Sequence, residues 1–323
     1  MKLQILVPQY NEPDEIVKSL LDSIKYQQNI SFDDIGVIIC NDGSNVFLSD
    51  DLIKSYPYAI EYHKEKHNKG LSGCRNACLS YATADYITFM DADDTFFDKT
   101  GLSRVFSEMN TGFESLYTPF VKECKIEGKT TYVKEGKRCT HVQGKFFQRK
   151  FLLDNNIQWN ESLRVHEDGY FHILCLCLNK NNKNLYLDYP IVLWCWNPNS
   201  MTRSDPLFKI KTYKNVIESS NALMDELSRR RLYDKVAYYF TASVYETYYN
   251  LNKKQWRESS VQDYLQTTEK KFFDYYKKYE MYWSFIKDKS YIENLMRSAM
   301  ADEAFIEDKT INQWLEYIEN KYC

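Results

Sequence analysis

The sequence predicts an α/β protein in which a mostly parallel sheet is flanked by helices, followed by a helical C-terminal domain. Over the first half of the chain, short apolar runs alternate with amphipathic segments, a pattern typical of a parallel sheet covered by helices. Strand patterns disappear after about Pro206, where the remaining segments have helical spacing and many tyrosines. Because 323 residues also exceed one ordinary core, we expect two domains, 1–205 and 206–323.

The N-terminal elements follow from hydrophobic periodicity. Short apolar runs predict four strands, at residues 3–7, 35–40, 60–63 and 86–90. Helical spacing predicts the segments between them, at 14–27, 50–55 and 71–83. The first of these helices follows Pro13, a residue that is favoured at helix starts.

The rest of the chain has two patterns. Up to about Trp196 the predicted elements are mixed, with strands at 116–120, 131–134 and 191–195 and helices at 145–155 and 167–178. Beyond Pro206 the pattern is helical throughout, with helices at 209–227, 231–251, 261–279 and 311–322. The tyrosine-rich helices would shape an acceptor groove, form an oligomer interface or cover the first domain, and the sequence leaves these three options open.

Composition excludes several classes of protein. Hydrophobic residues make up 44% and charged residues 27%, which is ordinary for a globular protein. A net charge of −3 lacks the strong positive field of a dedicated nucleic-acid binder. The nine cysteines lack zinc-site spacing and fit thiols in a reducing compartment. The apolar run at 3–7 is too short for a signal peptide, so we expect a cytoplasmic protein, with contact to a membrane surface left open.

Acidic and polar residues follow the predicted strands. The first strand leads into Pro8, Tyr10 and Glu12, the second into Asp42, and the fourth into residues 91–94. Ligands of open parallel sheets bind beyond the carboxyl ends of the strands, so these residues are candidates for one shared site.

Asp91 and Asp93 form a D-x-D triplet directly after the apolar fourth strand. Two ionised carboxylates cannot both be buried there without compensation. A hard divalent cation, Mn²⁺ or Mg²⁺, would resolve this, because such ions take oxygen ligands and commonly share them with phosphate groups. The alternative of a solvated turn is the more common one for a lone D-x-D, but the upstream acidic residues favour a metal site.

An ordered set of motifs resembles family-2 glycosyltransferases with the GT-A fold, which is Rossmann-like. The set begins with Pro8, Tyr10 and Asn11 as P-x-Y-N, then Asp42-Gly43-Ser44 as D-G-S, and then N-x-G at residues 68–70 followed by Arg75 and Asn76. The D-x-D triplet comes next, and the Glu167-Asp168 pair ends the set. The resemblance covers roughly residues 3–205 and implies a UDP-sugar donor.

The resemblance also implies roles for individual residues. Pro8, Tyr10, Glu12 and Asp42 would line the nucleoside pocket, with Asp42 accepting a hydrogen bond from the base. Candidates for donor contacts further along the chain are Lys69, Arg75, Asp91, Gln143, Lys145 and Arg203. Asp91 and Asp93 would bind the metal, and Arg203 would close over the diphosphate.

The Glu167-Asp168 pair at the start of a predicted helix is the candidate catalytic pair. An inverting transfer needs one carboxylate to take the proton of the acceptor hydroxyl. We assign that role to Asp168 and expect Glu167 to hold the acceptor or a nearby main-chain group. Carboxylates at this position would also suit a helix cap, and only the upstream motifs favour catalysis.

Two other functions remain open from the sequence. A nucleotidyltransferase or nucleotide-sugar pyrophosphorylase would use a similar sheet and paired aspartates, but it usually carries a glycine-rich basic loop where this chain has residues 8–12. A non-catalytic binding module would tolerate loss of Asp93 or Asp168, and both are present. For the transferase we expect a glycan, a wall or capsule polymer or a modified nucleic acid as acceptor, and the C-terminal helices offer a surface for homo-oligomers.

Overall fold

The computed structural model describes residues 1–136, 140–179, 183–198, 200, 207–256, 261–299 and 308–323. The chain divides into two compact units, Met1–Pro198 and Asn199–Cys323. The predicted boundary near Pro206 falls outside the described residues, so its position stays a prediction. We find no helix in the described ranges with the length and apolarity needed to cross a membrane.

The first unit is built on a seven-stranded, mostly parallel sheet. Its strands are β1 (Leu3–Gln9), β2 (Ile35–Asn41), β3 (Ala59–Lys64), β4 (Tyr86–Phe89), β6 (Ser115–Tyr117), β9 (Lys145–Gln148) and β10 (Asn184–Tyr186). Their order is β10-β6-β9-β4-β1-β2-β3, and β9 runs antiparallel to both of its neighbours. A second sheet has the order β5-β11-β7-β8 and contains β5 (Thr95–Phe96), β7 (Phe120–Ile126), β8 (Lys129–Glu135) and β11 (Val192–Trp194).

Helices cover the first sheet and complete the core. They are α1 (Asp14–Lys25), α2 (Asp50–Lys54), α3 (Gly70–Tyr81), α4 (Gly101–Met109), α5 (Arg149–Asp154) and α6 (Glu167–Leu178). The sequence of α1 explains its position in the fold. Asp14 and Glu15 in the first turn favour a helix start, and an apolar stripe is buried against the core, formed by Val17, Leu20, Leu21 and Ile24. The stripe begins at Val17, and its neighbour Ile16 is 41% exposed.

The second unit is helical, as the sequence predicts. Its helices are α7 (Phe208–Arg229), α8 (Tyr233–Leu251), α9 (Gln262–Tyr279), α10 (Ser290–Ala299) and α11 (Ile311–Tyr322). Much of its core is aromatic, and Phe240, for example, packs against Tyr275 and Tyr276. Helix α10 is absent from the sequence prediction, and Ile292 is its buried residue.

Two elements of the first unit differ from the sequence prediction, and the strand predicted at 116–120 is divided between β6 and β7. Residues 145–155 were expected to form one helix, but Lys145–Gln148 is a strand and the helix covers only Arg149–Asp154. Phe146 and Phe147 are adjacent and both fully buried, because the sheet is covered on both of its faces. Adjacent residues of a helix point about 100° apart, so two adjacent apolar residues also fit one broad face of a helix. The apolar pattern by itself therefore does not distinguish a helix from a strand that is buried on both faces.

We predict that Phe146→Ala and Phe147→Ala each lower the free energy of unfolding by about 3–5 kcal/mol, because each leaves a large cavity on its own face of the sheet. Chemical denaturation of the two variants measures this. Tyr132→Ala in β8 is the control, since that side chain is 60% exposed and should change stability by less than about 0.5 kcal/mol. A large cost for only one of the two phenylalanines would contradict two-sided burial of β9.

Candidate active site at the carboxyl edge of the sheet

The carboxyl ends of β1, β2 and β4 enclose a cleft of about 330 Å³. Six of the residues predicted from the sequence line it: Pro8, Tyr10, Glu12, Asp42, Asp91 and Asp93. Gln9, Asn68, Gly70, Leu71, Cys74 and Ala92 complete the lining. The parallel arrangement therefore brings the loops after three strands to one cavity, as the sheet rule predicts.

Asp42 forms one wall of the cleft and is held by the loop that precedes α3. Its Oδ1 accepts a hydrogen bond from the main-chain N–H of Lys69 at 2.7 Å. Burial raises the pKa of Asp42, although the N–H groups of Lys69 and Gly70 oppose the shift. Lys69 contributes its main chain here, while its ammonium pairs with Glu65 at 2.6 Å. The donor contact expected of the Lys69 side chain stays a prediction.

Gly43 allows the two loops to approach each other. Its φ of +66° is left-handed, and a Cβ at this position would lie 2.6 Å from main-chain atoms of His67 and Asn68. Since main-chain atoms cannot swing away, only glycine fits. In the D-G-S motif, the glycine therefore permits the close contact between loops, and the aspartate places a carboxylate in the cleft.

Arg75 connects the cleft to the start of helix α6. This guanidinium is 1% exposed, and it donates to Asp91 Oδ1 at 3.0 Å, Asp168 Oδ1 at 2.8 Å and Glu167 Oε1 at 3.2 Å. It also lies 4.4 Å from the ring centroid of Trp159. Burial by itself lowers the pKa of Arg75, but the three carboxylates outweigh it and raise the pKa. One cation thus holds the D-x-D aspartate and both members of the predicted catalytic pair together.

The Glu167-Asp168 pair begins α6 after a strained residue. His166 has φ 64° and ψ 20°, a left-handed conformation that is uncommon for residues with a side chain. Asp168 Oδ2 accepts from the N–H of Val142 at 3.1 Å, so both of its oxygens are oriented. Burial and the neighbouring charge of Asp168 raise the pKa of Glu167 to about 7, although Arg75 opposes this.

The D-x-D segment carries a third aspartate whose role the sequence analysis did not assign. Asp94 is 1% exposed and accepts hydrogen bonds from Cys195 N at 3.0 Å and Gln143 Nε2 at 2.9 Å. Burial, together with the charges of Asp91 and Asp93, raises its pKa well above the usual range. Asp93 accepts a hydrogen bond of 2.7 Å from Asn197 Nδ2, a further contact that no local motif indicates.

Gln143 and Lys145 were both predicted to contact the donor sugar. Gln143 Nε2 lies 3.4 Å from Asp91 Oδ2 as well as within hydrogen-bonding distance of Asp94, so it borders the D-x-D segment. Lys145 is fully buried, and its Nζ donates to the carbonyl of Gln143 at 2.7 Å. The Lys145 ammonium therefore faces protein in this structure. Arg203 lies outside the described residues, and its predicted contact stays a prediction.

Glu12 adds to the negative character of the cleft. Burial raises its pKa, and the charges of Asp93 and Asp91 act in the same direction, while main-chain N–H groups of Tyr10 and Glu12 oppose them. Trp194 packs against the core, and its ring centroid lies 6.2 Å from that of Phe120. The N–H of Trp196 donates to Glu123.

A parallel-rich sheet with an acidic cleft at its carboxyl edge, and a carboxylate pair joined to that cleft by one arginine, defines the GT-A class of glycosyltransferases. Residues 4–168, about half of the chain, match the family described as Glycosyl transferase family 2. The chain belongs to this family. This result confirms the resemblance inferred from the motifs and disfavours the nucleotidyltransferase alternative.

The names of similar proteins agree with the family assignment. The chain is 27% identical over 188 residues to the minor teichoic acid biosynthesis protein GgaB of Bacillus subtilis, covering 51% of this chain and 20% of that protein. It is 25% identical over 276 residues to the GalNAc(5)-diNAcBac-PP-undecaprenol beta-1,3-glucosyltransferase of Campylobacter jejuni, covering 76% and 82%. It spans only 13% of the teichoic acid poly(glycerol phosphate) polymerase of Staphylococcus epidermidis.

A solved structure confirms the fold. The crystal structure of S. aureus TarS 1-349 in complex with UDP-GlcNAc has a TM-score of 0.63 and 16% identity, covering all of this chain and 91% of that one. At this level of identity the likeness shows the fold alone.

The raised pKa of Glu167 predicts how the free energy of unfolding depends on pH. The folded-state pKa of about 7 lies above the usual 4.5, so between these values the folded protein holds a proton that the unfolded chain has released. Wild-type stability should therefore fall as the pH rises from 4.5 to 7. Glu167→Gln removes this dependence and should be more stable than wild type above pH 7, with the advantage disappearing near pH 4.5.

Urea denaturation of wild type and Glu167→Gln across this pH range measures the difference. Glu15→Gln, on the exposed side of α1, is the control and should follow the wild-type curve. If Glu167→Gln and wild type keep a constant difference at every pH, the Glu167 carboxylate does not carry the raised pKa.

Proposed function

We propose that this family-2 chain is an inverting glycosyltransferase that moves a sugar from a UDP-sugar to an acceptor hydroxyl, with Asp168 as general base. The observation that carries the proposal is the Arg75 clamp. One buried guanidinium spans Asp91, at the cleft, and Asp168, at the start of α6, with contacts of 3.0 and 2.8 Å. Asp91, proposed to contact the donor, and Asp168, proposed to act on the acceptor, are thus both held by Arg75.

The cleft suits a nucleoside diphosphate in size and chemistry. Its volume of about 330 Å³ lies within the range of small-molecule pockets. Tyr10 is 51% exposed at its rim and offers a ring face for a base, while Asp42 offers a carboxylate oxygen to an N–H of the base. TarS, which shares the fold, has been crystallised with UDP and with UDP-GlcNAc. These points support UDP as the nucleotide part of the donor.

Asp168 is oriented as a general base should be. Arg75 and the N–H of Val142 each hold one carboxylate oxygen, which fixes the plane of the group. The remaining lone pairs would accept the proton of the acceptor hydroxyl as its oxygen attacks the anomeric carbon from the side opposite the diphosphate. One base without a covalent enzyme intermediate gives inversion, and proton transfer of this kind contributes about 10²–10⁴-fold to the rate.

Glu167 differs from Asp168 in its surroundings. It is more buried, with its side chain 10% exposed against 20% for Asp168. Its carboxyl group has a pKa near 7 and can therefore donate or accept a hydrogen bond at neutral pH. We propose that it positions the acceptor or a neighbouring main-chain group next to Asp168.

Asp91 and Asp93 fit a divalent cation of the Mn²⁺ or Mg²⁺ type. Both carboxylates line the cleft, and hard oxygen ligands are the ones these ions prefer. Within the described residues, no group of three or more acidic, histidine or cysteine side chains forms a complete metal site, so diphosphate oxygens and water would supply the other ligands. When bound, such an ion stabilises the charge on the departing diphosphate.

The acceptor is proposed to be a glycan or a cell-wall polymer. Relatives of this chain are named for teichoic acid biosynthesis and for a lipid-linked glycan acceptor. The second unit would then help to hold a long acceptor, since the motifs of donor binding all lie in residues 3–205.

We predict that Asp168→Asn lowers the transfer rate by about 10²–10⁴-fold, because the amide cannot take the proton. Binding of the UDP-sugar should change little, since Asp168 lies outside the cleft lining. Release of UDP in the presence of acceptor measures transfer, and calorimetric titration measures binding. Asp154→Asn on α5 is the matched control. Transfer at the wild-type rate would show that another residue is the base.

Asp93→Ala should remove the metal-dependent part of UDP-sugar binding, because the ion would lose one of its two protein carboxylates. Titrating UDP-sugar with and without Mn²⁺ should show a metal-dependent gain in affinity for wild type and none for the variant. Asp50→Ala, at the exposed start of α2, is the control. A variant that keeps the full effect of Mn²⁺ would place the metal elsewhere.

A further inference from the structure

The second unit contains a cavity of about 380 Å³ that the proposed reaction does not use. It lies among the end of α8, the first half of α9 and helix α11, and its lining is more polar than apolar. Amide side chains contribute strongly, with Asn252, Gln262 and Gln266 all present. Trp314 and Tyr317 supply aromatic surface. Such a mixture is typical of sites that bind hydroxyl-rich molecules, in which hydrogen bonds and ring faces act together.

Two helices present matching stripes to this cavity. Gln262, Gln266 and Glu269 follow helical spacing on α9, and Trp314, Tyr317 and Lys321 do so on α11. Facing stripes of packed helices are usually apolar, as they are further along α9, where Phe272 is fully buried. Here amides and an ion pair replace apolar residues, and the helices leave a space between them.

The walls of the cavity are held firmly. Helix α11 begins with a capping box, in which Thr310 and Gln313 satisfy each other's main-chain N–H groups. The hydroxyl of Tyr248 donates to the carbonyl of Lys309 at 2.5 Å, which ties the start of α11 to α8. Trp314 packs between Tyr248 and Phe272, at centroid distances of 5.5 and 5.0 Å. The cavity is therefore preformed, which lowers the entropic cost of binding.

The charges around the cavity are compensated. Lys321 pairs with Glu269 at 2.5 Å, and the hydroxyl of Tyr322 donates to the same carboxylate. Lys309 pairs with Asp308 at 3.2 Å and lies 5.5 Å from the ring centroid of Tyr317. Each of the two lysines in the lining thus has a counter-charge, Glu269 within the lining and Asp308 beside it. A neutral ligand fits this arrangement better than an anionic one.

We propose that this cavity binds one neutral sugar unit of the acceptor chain, with Tyr317 as its stacking surface and Gln262 and Gln266 as hydrogen-bonding groups. Tyr317 is 41% exposed, and the ammonium groups of Lys309 and Lys321 lie 5.5 and 5.6 Å from its ring centroid. The proposal rests on the proposed glycosyltransferase function, because it assigns a second contact to the same acceptor. It does not depend on which residue acts as base.

Saturation-transfer NMR on the full chain tests the proposal. The probes are methyl glycosides of glucose, galactose and their N-acetylated amino sugars, each with excess UDP present to fill the nucleotide cleft. At least one glycoside should show a signal with wild type, and Tyr317→Ala and Gln266→Ala should lose it. Tyr291→Ala is the matched control, because that tyrosine is 70% exposed on α10 and lies outside the cavity lining. Circular dichroism confirms that each variant is folded.

The outcomes separate this proposal from the proposed function. Absence of a signal with every glycoside, or an undiminished signal in both cavity variants, overturns the sugar site. So does loss of the signal on addition of inorganic phosphate, which would identify an anion site. UDP release in the presence of acceptor measures transfer by wild type, and calorimetric titration of wild type with UDP reports on the donor cleft alone. Failure of UDP release in wild type would instead contradict the proposed function.

Discussion

Burial of Arg75 is the constraint on which the active site depends. A guanidinium at 1% exposure must have carboxylate partners, and three of them come from two distant parts of the chain, 91 and 167–168. Removing the guanidinium itself would leave these carboxylates without their cation, and breaking a buried charge pair in this way typically costs about 3–5 kcal/mol. The network therefore joins helix α3, the end of β4 and the start of α6 into one arrangement. Stability and the placement of the candidate base follow from the same contacts.

The rest of the cleft is formed around this network by close main-chain approach. Gly43 lets the loop after β2 touch residues 67–68, and Asp42 is then fixed by the N–H of Lys69. His166 takes a left-handed conformation directly before the candidate catalytic pair, a strain that the packed surroundings must offset. Such local costs are common at functional sites, where a particular direction of a side chain matters more than local backbone preference.

The sequence predicted much of this structure, and its failures have physical causes. β1, β2 and β4 were predictable because each is a short run of apolar residues between turn residues, and the ordered motifs identified the family. β9 was not predictable from its sequence. Its apolar residues and those of α5 also fit one helical stripe: Phe146, Phe147, Phe151 and Leu152. Pairing of the segment with β4 and β6 decides for a strand over a helix. The contacts of Asp94 with Gln143 and Cys195 join residues 49 and 101 positions apart, beyond the reach of local patterns.

The reversed direction of β9 has a consequence for how this enzyme family can diversify. At the carboxyl edge of the sheet, each parallel strand contributes the loop that follows it. An antiparallel strand instead contributes the loop that precedes it. Gln143 reaches the aspartates in this way, from the loop that enters β9. Insertions there would alter the surroundings of Asp91 and Asp94 while every strand keeps its register. The chain leaves β9 at the opposite edge of the sheet, where helix α5 begins directly at Arg149, so changes in length there would leave the surroundings of these aspartates in place.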